Sequence, residues 1–194
     1  MNLAEFIDEI QTDPVTGKQY FTEICNYLLF GAERRHDLFS DEDFKKCQSF
    51  LQPALRPMFD IHYLGSVQQI DHEDNLALVE SDLRHSLMKV LDLARANQLN
   101  NWVNVFTKCI SLLDAEPENN WFITLLTKTG YSKAAIQVLT AAFESDVFGT
   151  MGSWNDVVCS DMEEYNRLTA NLFQTVQQSV RTAINSNAEN TDNY

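Results

Sequence analysis

The sequence predicts an all-α fold, an irregular antiparallel helical bundle of about seven to eight helices, and three observations carry that prediction. Apolar residues recur at helical spacing through most of the chain. Glycine and proline are scarce, six and four among 194 residues, so few stretches are interrupted and turns are short. Ser or Pro stands near the start of successive periodic stretches, at Pro14, Ser40, Pro117, Ser132 and Ser160, where helix N-termini favour them.

Taken in order, a first short helix is expected from Asn2 to about Gln11. Thr12-Asp13-Pro14 then opens a second, with Phe21, Ile24 and Leu28 on one face and Tyr20 and Tyr27 flanking it. Ser40 with Asp43 signals the N-cap of a third, continued by Phe44, Cys47 and Leu51 until Pro53 and Pro57 break or kink it. Residues 58–73, MFDIHYLGSVQQIDHE, leave strand, turn and irregular connection open. From Leu76 to about Ala96 the stripe Leu76, Val79, Leu83, Leu87, Val90, Leu91 and Ala94 predicts a long amphipathic helix. A break at Asn97–Asn101 precedes a helix carrying Trp102, Val105, Phe106, Cys109, Ile110 and Leu113. Pro117 is expected to start the next, with Trp121, Phe122, Leu125 and Leu126, and Gly130 to end it. Ser132 caps a further helix bearing Ile136, Leu139 and Phe143. Ser160 and Glu163 read as a capping box for the last, along which Met162, Tyr165, Thr169, Leu172, Val176 and Ala183 follow at helical spacing. Residues 1–186 are thus expected to form a single helical domain, and 187–194, with nothing to bury, a disordered C-terminal tail.

Composition narrows the possible functions. Acids outnumber bases 28 to 14, a formal charge of −14 that disfavours nucleic acid and anionic lipid and favours a basic partner. The basic segments Arg34-Arg35-His36 and Lys45-Lys46 are interleaved with acids, so no nucleic-acid surface is expected. No apolar run approaches the ~20 residues that span a bilayer. The opening MNLAEFIDEI lacks the pattern of a signal peptide, and Cys25, Cys47, Cys109 and Cys159 form no CxxC pair. A soluble, cytoplasmic, reduced protein is the expectation.

No residue set for catalysis emerges, and the chain is not expected to be an enzyme. Asp82 and His85 have the spacing of half a di-iron motif, but the second pair and the further carboxylates are missing. With no HExxH and no zinc-finger spacing beside His72-Glu73-Asp74, neither metal nor cofactor is expected. GxSxG is absent, Gly152-Ser153-Trp154 being only part of such an elbow, and there is no phosphate-binding glycine loop.

One segment departs from helix-and-turn wording: Val147-Phe148-Gly149-Thr150-Met151-Gly152-Ser153-Trp154-Asn155-Asp156. Either its aromatics turn into the core, or Trp154, Asn155 and Asp156 are displayed as an interaction surface on an ordered loop. Between Lys133 and Arg167 stand the six acids Glu144, Asp146, Asp156, Asp161, Glu163 and Glu164 with no base, and a second acidic zone includes Asp71, Glu73 and Asp74. Single-sign fields of this kind steer oppositely charged partners. The residues expected to bind a partner are therefore Trp154, Asn155, Asp156, Asp161, Glu163 and Glu164, with Asp71, Glu73 and Asp74.

The phrase VFGTMGSWNDV, followed by an acidic turn and the helix EYNRLTANLF, resembles small bacterial immunity proteins of polymorphic and contact-dependent toxin systems. The resemblance is confined to the C-terminal part of the chain. It implies a non-catalytic cytoplasmic antitoxin that binds and neutralises a cognate, basic toxin domain. Two other classes compete with it. An acidic DNA mimic or regulatory binding protein calls for evenly spaced carboxylates, and a helical ligand-binding or enzyme domain calls for a polar-lined pocket near Trp102, Trp121 and His85 or His62.

Overall fold

The computed structural model describes residues 14–30, 40–55, 75–118, 120–149 and 152–186. The expected helix Asn2–Gln11, the ambiguous stretch 58–73 and the tail 187–194 lie outside the described residues. The rest is an all-α bundle. Among the described residues there are seven α-helices and no strand: α1 (Pro14–Phe30), α2 (Asp41–Leu55), α3 (Leu76–Ala96), α4 (Asn100–Leu112), α5 (Trp121–Lys128), α6 (Lys133–Glu144) and α7 (Met162–Asn185). A single 3-10 turn, Trp154–Asp156, precedes α7. No helix among these residues is long and apolar enough to cross a membrane. The chain divides into two compact units, one drawing on residues 1–69, 118–136 and 184–194 and the other on 70–117 and 137–183.

In the first unit α1 buries the predicted face of Phe21, Ile24 and Leu28, together with Cys25 and Leu29. Its neighbour α2 presents Phe44, whose ring meets that of Tyr27 edge-on at 5.1 Å. The helix α2 carries through Pro53 to Leu55, where a break or kink is expected from the sequence. Proline forgoes the one hydrogen bond that an N–H at its position would donate to the carbonyl four residues back, and the helix continues past that loss. The start of α5 also differs from expectation. Pro117 does not open it; Asn120 caps it, its side-chain oxygen accepting from the N–H groups of Phe122 and Ile123 at 2.9 and 3.0 Å. An N-cap amide that satisfies two orphan donors outcompetes the proline signal upstream.

At the other end of α5, Gly130 takes φ +77°. The N–H of Tyr131 reaches back to Leu126 O and that of Gly130 to Thr127 O, the paired bonds of a Schellman termination. That turn delivers Tyr131 to the interior, edge-on to Phe21 at 5.9 Å. Its hydroxyl donates to Ile184 O at 2.8 Å and lies 2.8 Å from Thr22 Oγ1. With the phenol proton committed to the carbonyl, Thr22 is the donor to the phenol oxygen. Asn26 and Asn185 exchange amide hydrogen bonds of 2.8 and 3.0 Å beside it. The Ile184 carbonyl, too near the end of α7 to find a partner further along its own helix, is thereby held by Tyr131.

The second unit is built on the α3–α4 hairpin. Of the stripe the sequence predicts, Val79, Leu83, Leu87, Val90, Leu91 and Ala94 are buried and Leu76, at the helix start, is half-buried. Asn97 and Gln98 turn the chain by the same Schellman geometry, Leu99 N–H bonding Ala94 O and Gln98 N–H bonding Arg95 O. Here the left-handed residue is Gln98, at φ +57°, and not a glycine. Arg84 ties the hairpin together: its guanidinium holds both carboxylate oxygens of Asp114 at 2.9 Å and Glu80 at 3.0 Å. A polar seam joins α3 to α7, with Asn171 donating to Ser86 Oγ at 2.8 Å and the Ser86 and Thr175 hydroxyls 3.1 Å apart. All four cysteines are buried and none forms a disulfide, and burial pushes the Cys109 thiol up to about 11.

Candidate functional site

The 147–164 segment of the second unit holds most of the residues singled out by the sequence. It is closed at its base by the Trp154 N–H bonding Val147 O at 3.0 Å. Inside that closure Ser153 does two things. Its hydroxyl donates to Gly149 O at 3.2 Å and accepts the Asn155 N–H at 3.3 Å, capping the 3-10 turn. Gly152, at φ +88°, directs its N–H to the Asp156 carboxylate. The turn needs a left-handed residue at Gly152.

Trp154 corrects one of the two readings of the segment. Its side chain is 0% exposed and is not displayed to a partner. The indole stands edge-on to Phe106 at 5.0 Å and Trp102 at 5.3 Å, with the Tyr165 ring 5.3 Å away. Its Nε1–H donates to Thr169 Oγ1 at 2.8 Å, and the Tyr165 hydroxyl donates to the Trp154 carbonyl. An indole combines a large apolar body with one donor, and here the core satisfies both. Trp102, one of the residues considered for a ligand pocket, is half-buried and stacked on Phe106, so it belongs to this aromatic cluster.

With the indole inward, Asn155 and Asp156 on the next two positions face solvent. Val157 follows in an extended conformation, Val158 is exposed and Cys159 is buried. The Cys159 N–H meets Met162 Sδ at 3.4 Å. Ser160 does not serve in a capping box. Its N–H and hydroxyl both bond Asn97 Oδ1, at 2.9 and 3.0 Å, which fastens the segment to the α3–α4 turn. The N-cap of α7 is Asp161, whose carboxylate accepts the Glu164 N–H at 3.0 Å. A carboxylate there suits the positive end of the helix dipole better than a hydroxyl.

The acids expected to bind a partner have different surroundings. Glu164 is engaged by Arg167 through two bonds of 2.7 Å, and that guanidinium holds its carboxyl below the usual range, with Lys89 contributing. Glu144 is engaged by Lys108 at 2.6 Å. Asp156, Asp161 and Glu163 face solvent, and among the described residues no salt bridge takes them up. The structure brings Asn155, Asp156, Asp161, Glu163 and Glu164 onto one short stretch of the same unit. Asp71, Glu73 and Asp74 lie outside the described residues.

Three features of the site escaped the sequence reading. Val158 is 82% exposed, the most exposed large apolar side chain among the described residues. Asn97 was read only as a helix break, yet it anchors Ser160. Thr169 stands in the sequence only as one of a helically spaced set, and its hydroxyl is the partner of the indole. The alternation of Val157, Val158 and Cys159 between half-buried, exposed and buried was the one legible signal, a short period-two pattern between two helical elements. Among the described residues no three His, Cys, Asp or Glu side chains come together as a metal site, and His85 is exposed on α3. The chain matches no protein-family profile, no curated protein and no solved structure.

Proposed function

We propose that this chain is a non-catalytic immunity protein, a cytoplasmic antitoxin that binds and neutralises a cognate basic toxin domain. One observation carries the proposal: Asp156, Asp161 and Glu163 are held outward on a segment pinned by a buried tryptophan, within a stretch that has no base from residue 134 to 166. Carboxylates fixed in this way keep a negative field directed at solvent with little ordering cost on binding. The likeness of VFGTMGSWNDV and the following helix to immunity proteins supports the same reading. Polar frame contacts supply the rigidity, and the acids supply steering toward a basic partner.

The test is co-expression with the C-terminal domain of the protein encoded by the adjacent gene, as the candidate toxin. Growth is expected to be restored, with a one-to-one complex whose association rate falls about tenfold or more between low and high salt. Unrelieved toxicity together with no complex at micromolar concentration overturns the proposal.

A further inference from the structure

We propose that a basic protein partner docks on the surface centred on Val158, with Met162 beside it and Asp156, Asp161 and Glu163 as its rim. This rests on the binding reading above and adds the place and chemistry of contact.

An exposed apolar side chain alone is ordinary. Val158 differs in how it is held. Its neighbours on both sides are anchored: Val157 N–H to Trp154 O at 3.2 Å, Cys159 N–H to Met162 Sδ at 3.4 Å, and Ser160 twice to Asn97. Cys159 is buried, so alternation along the extended stretch forces the preceding side chain outward. Val158 is 82% exposed and Met162, at the start of α7, is 41% exposed. Among the described residues the N–H and carbonyl of Val158 take no protein partner, so the main chain also offers a donor and an acceptor to an extended segment laid beside it. A rigid apolar centre with open main-chain groups loses little entropy when it is covered.

The charge around this centre selects the occupant. The rim carboxylates lie within a stretch that has six acids and no base between Lys133 and Arg167. A second copy of the chain, itself at −14, brings like charge against like. Nucleic acid and anionic lipid are repelled for the same reason. A protein surface with an apolar residue encircled by Lys and Arg is complementary in both respects, and an apolar centre inside a polar rim is the usual anatomy of a protein interface.

The test uses the full chain and two probes: peptides selected from a random display library, and the candidate toxin domain from the adjacent gene. Val158→Asp, Val158→Ala and Glu163→Lys are compared with Leu78→Asp, a change at a residue of α3 that is 59% exposed. Wild-type far-UV circular dichroism and Tm are required of each, and solvent exposure at these positions makes folding defects unexpected. Selected peptides should carry Lys or Arg around an apolar residue and perturb backbone amides in 155–163. Val158→Asp should weaken them about 30-fold or more, with Val158→Ala intermediate. Glu163→Lys should slow association about tenfold and flatten its salt dependence, with Leu78→Asp binding as wild type.

Equal binding by Val158→Asp and wild type overturns the proposal, as does selection of binders that are not basic. A dimer in sedimentation that Val158→Asp abolishes also overturns it, by showing a second copy as the occupant. The two proposals fail separately. Toxin neutralised equally well by Val158→Asp removes the docking surface and leaves the antitoxin function. Basic peptides bound at Val158 with the toxin ignored remove the antitoxin function and leave the surface.

Discussion

Replacing Trp154 by alanine tests whether this residue is the structural pin of the 147–164 segment. A buried Trp removes about 150–250 Å² from water. At about 25 cal/mol per Å² that is worth roughly 4–6 kcal/mol, an upper bound because an unfolded chain already covers part of that area. Truncations of buried aromatic residues in other cores cost about 3–5 kcal/mol. Contacts here are complete on every side, since the indole is 0% exposed and meets the rings of Trp102, Phe106 and Tyr165. We therefore expect Trp154→Ala to cost about 4 kcal/mol. Urea unfolding followed by circular dichroism reads this directly. With a slope of about 2 kcal/mol per molar, the midpoint should fall by about 2 M. Trp154→Phe keeps a ring in the cluster but removes the Nε1–H bond to Thr169, and should cost about 1–2 kcal/mol. Because the indole does not reach solvent, Trp154→Phe should bind the partner with wild-type affinity. A midpoint shift below about 0.5 M for Trp154→Ala refutes the packing argument. Loss of binding in a fully stable Trp154→Phe refutes the assignment of the indole to the core.

Three further outcomes follow from the same structure. Gly130→Ala meets nothing within 4 Å of the added Cβ, so its cost is that of the left-handed backbone, about 1 kcal/mol, while Gln98→Gly should gain about 0.5 kcal/mol for the mirror reason; thermal unfolding checks both. Tyr131→Phe removes the donor to Ile184 O and the acceptor for Thr22, and should lower stability by about 1–2 kcal/mol in the same assay, with faster amide exchange at the end of α7. The Arg84 guanidinium holds the Asp114 carboxyl below the usual carboxylate range. That contribution is present above the ordinary Asp value of about 3.9 and is lost as pH falls through the lower folded value. Arg84→Gln should raise the Asp114 pKa in an NMR titration and be less stable than wild type at pH 7, the difference closing in acid. An unmoved Asp114 titration counts against the ion pair.

Much of the helical layout was legible because burial on one face of a helix writes itself into local spacing. The stripe from Val79 to Ala94 is a property of α3 alone and needs no knowledge of what covers it. Helix ends were harder. Pro117 and Ser160 carry good start signals, but Asn120 and Asp161 took the caps. Those choices depend on competition: Ser160 was drawn to Asn97, 63 positions away in sequence, which no local pattern reveals. Sequence left two destinies open for Trp154, and an indole suits either a core or an interface, so composition could not choose between them.

The sequence by itself determined the all-α class, the α3 stripe and the concentration of acids between Lys133 and Arg167, because periodicity and charge are summed along the chain. Only the tertiary structure decided which way the segment before α7 faces. Phe106 on α4 and Tyr165 and Thr169 on α7 converge on one indole, and Asn97 at the α3–α4 turn holds Ser160. With Trp154 and Cys159 drawn inward by those distant partners, Asp156 and Val158 are left outward. The solvent face of that segment is thus set by contacts between residues far apart in the chain, which spacing along the sequence does not encode.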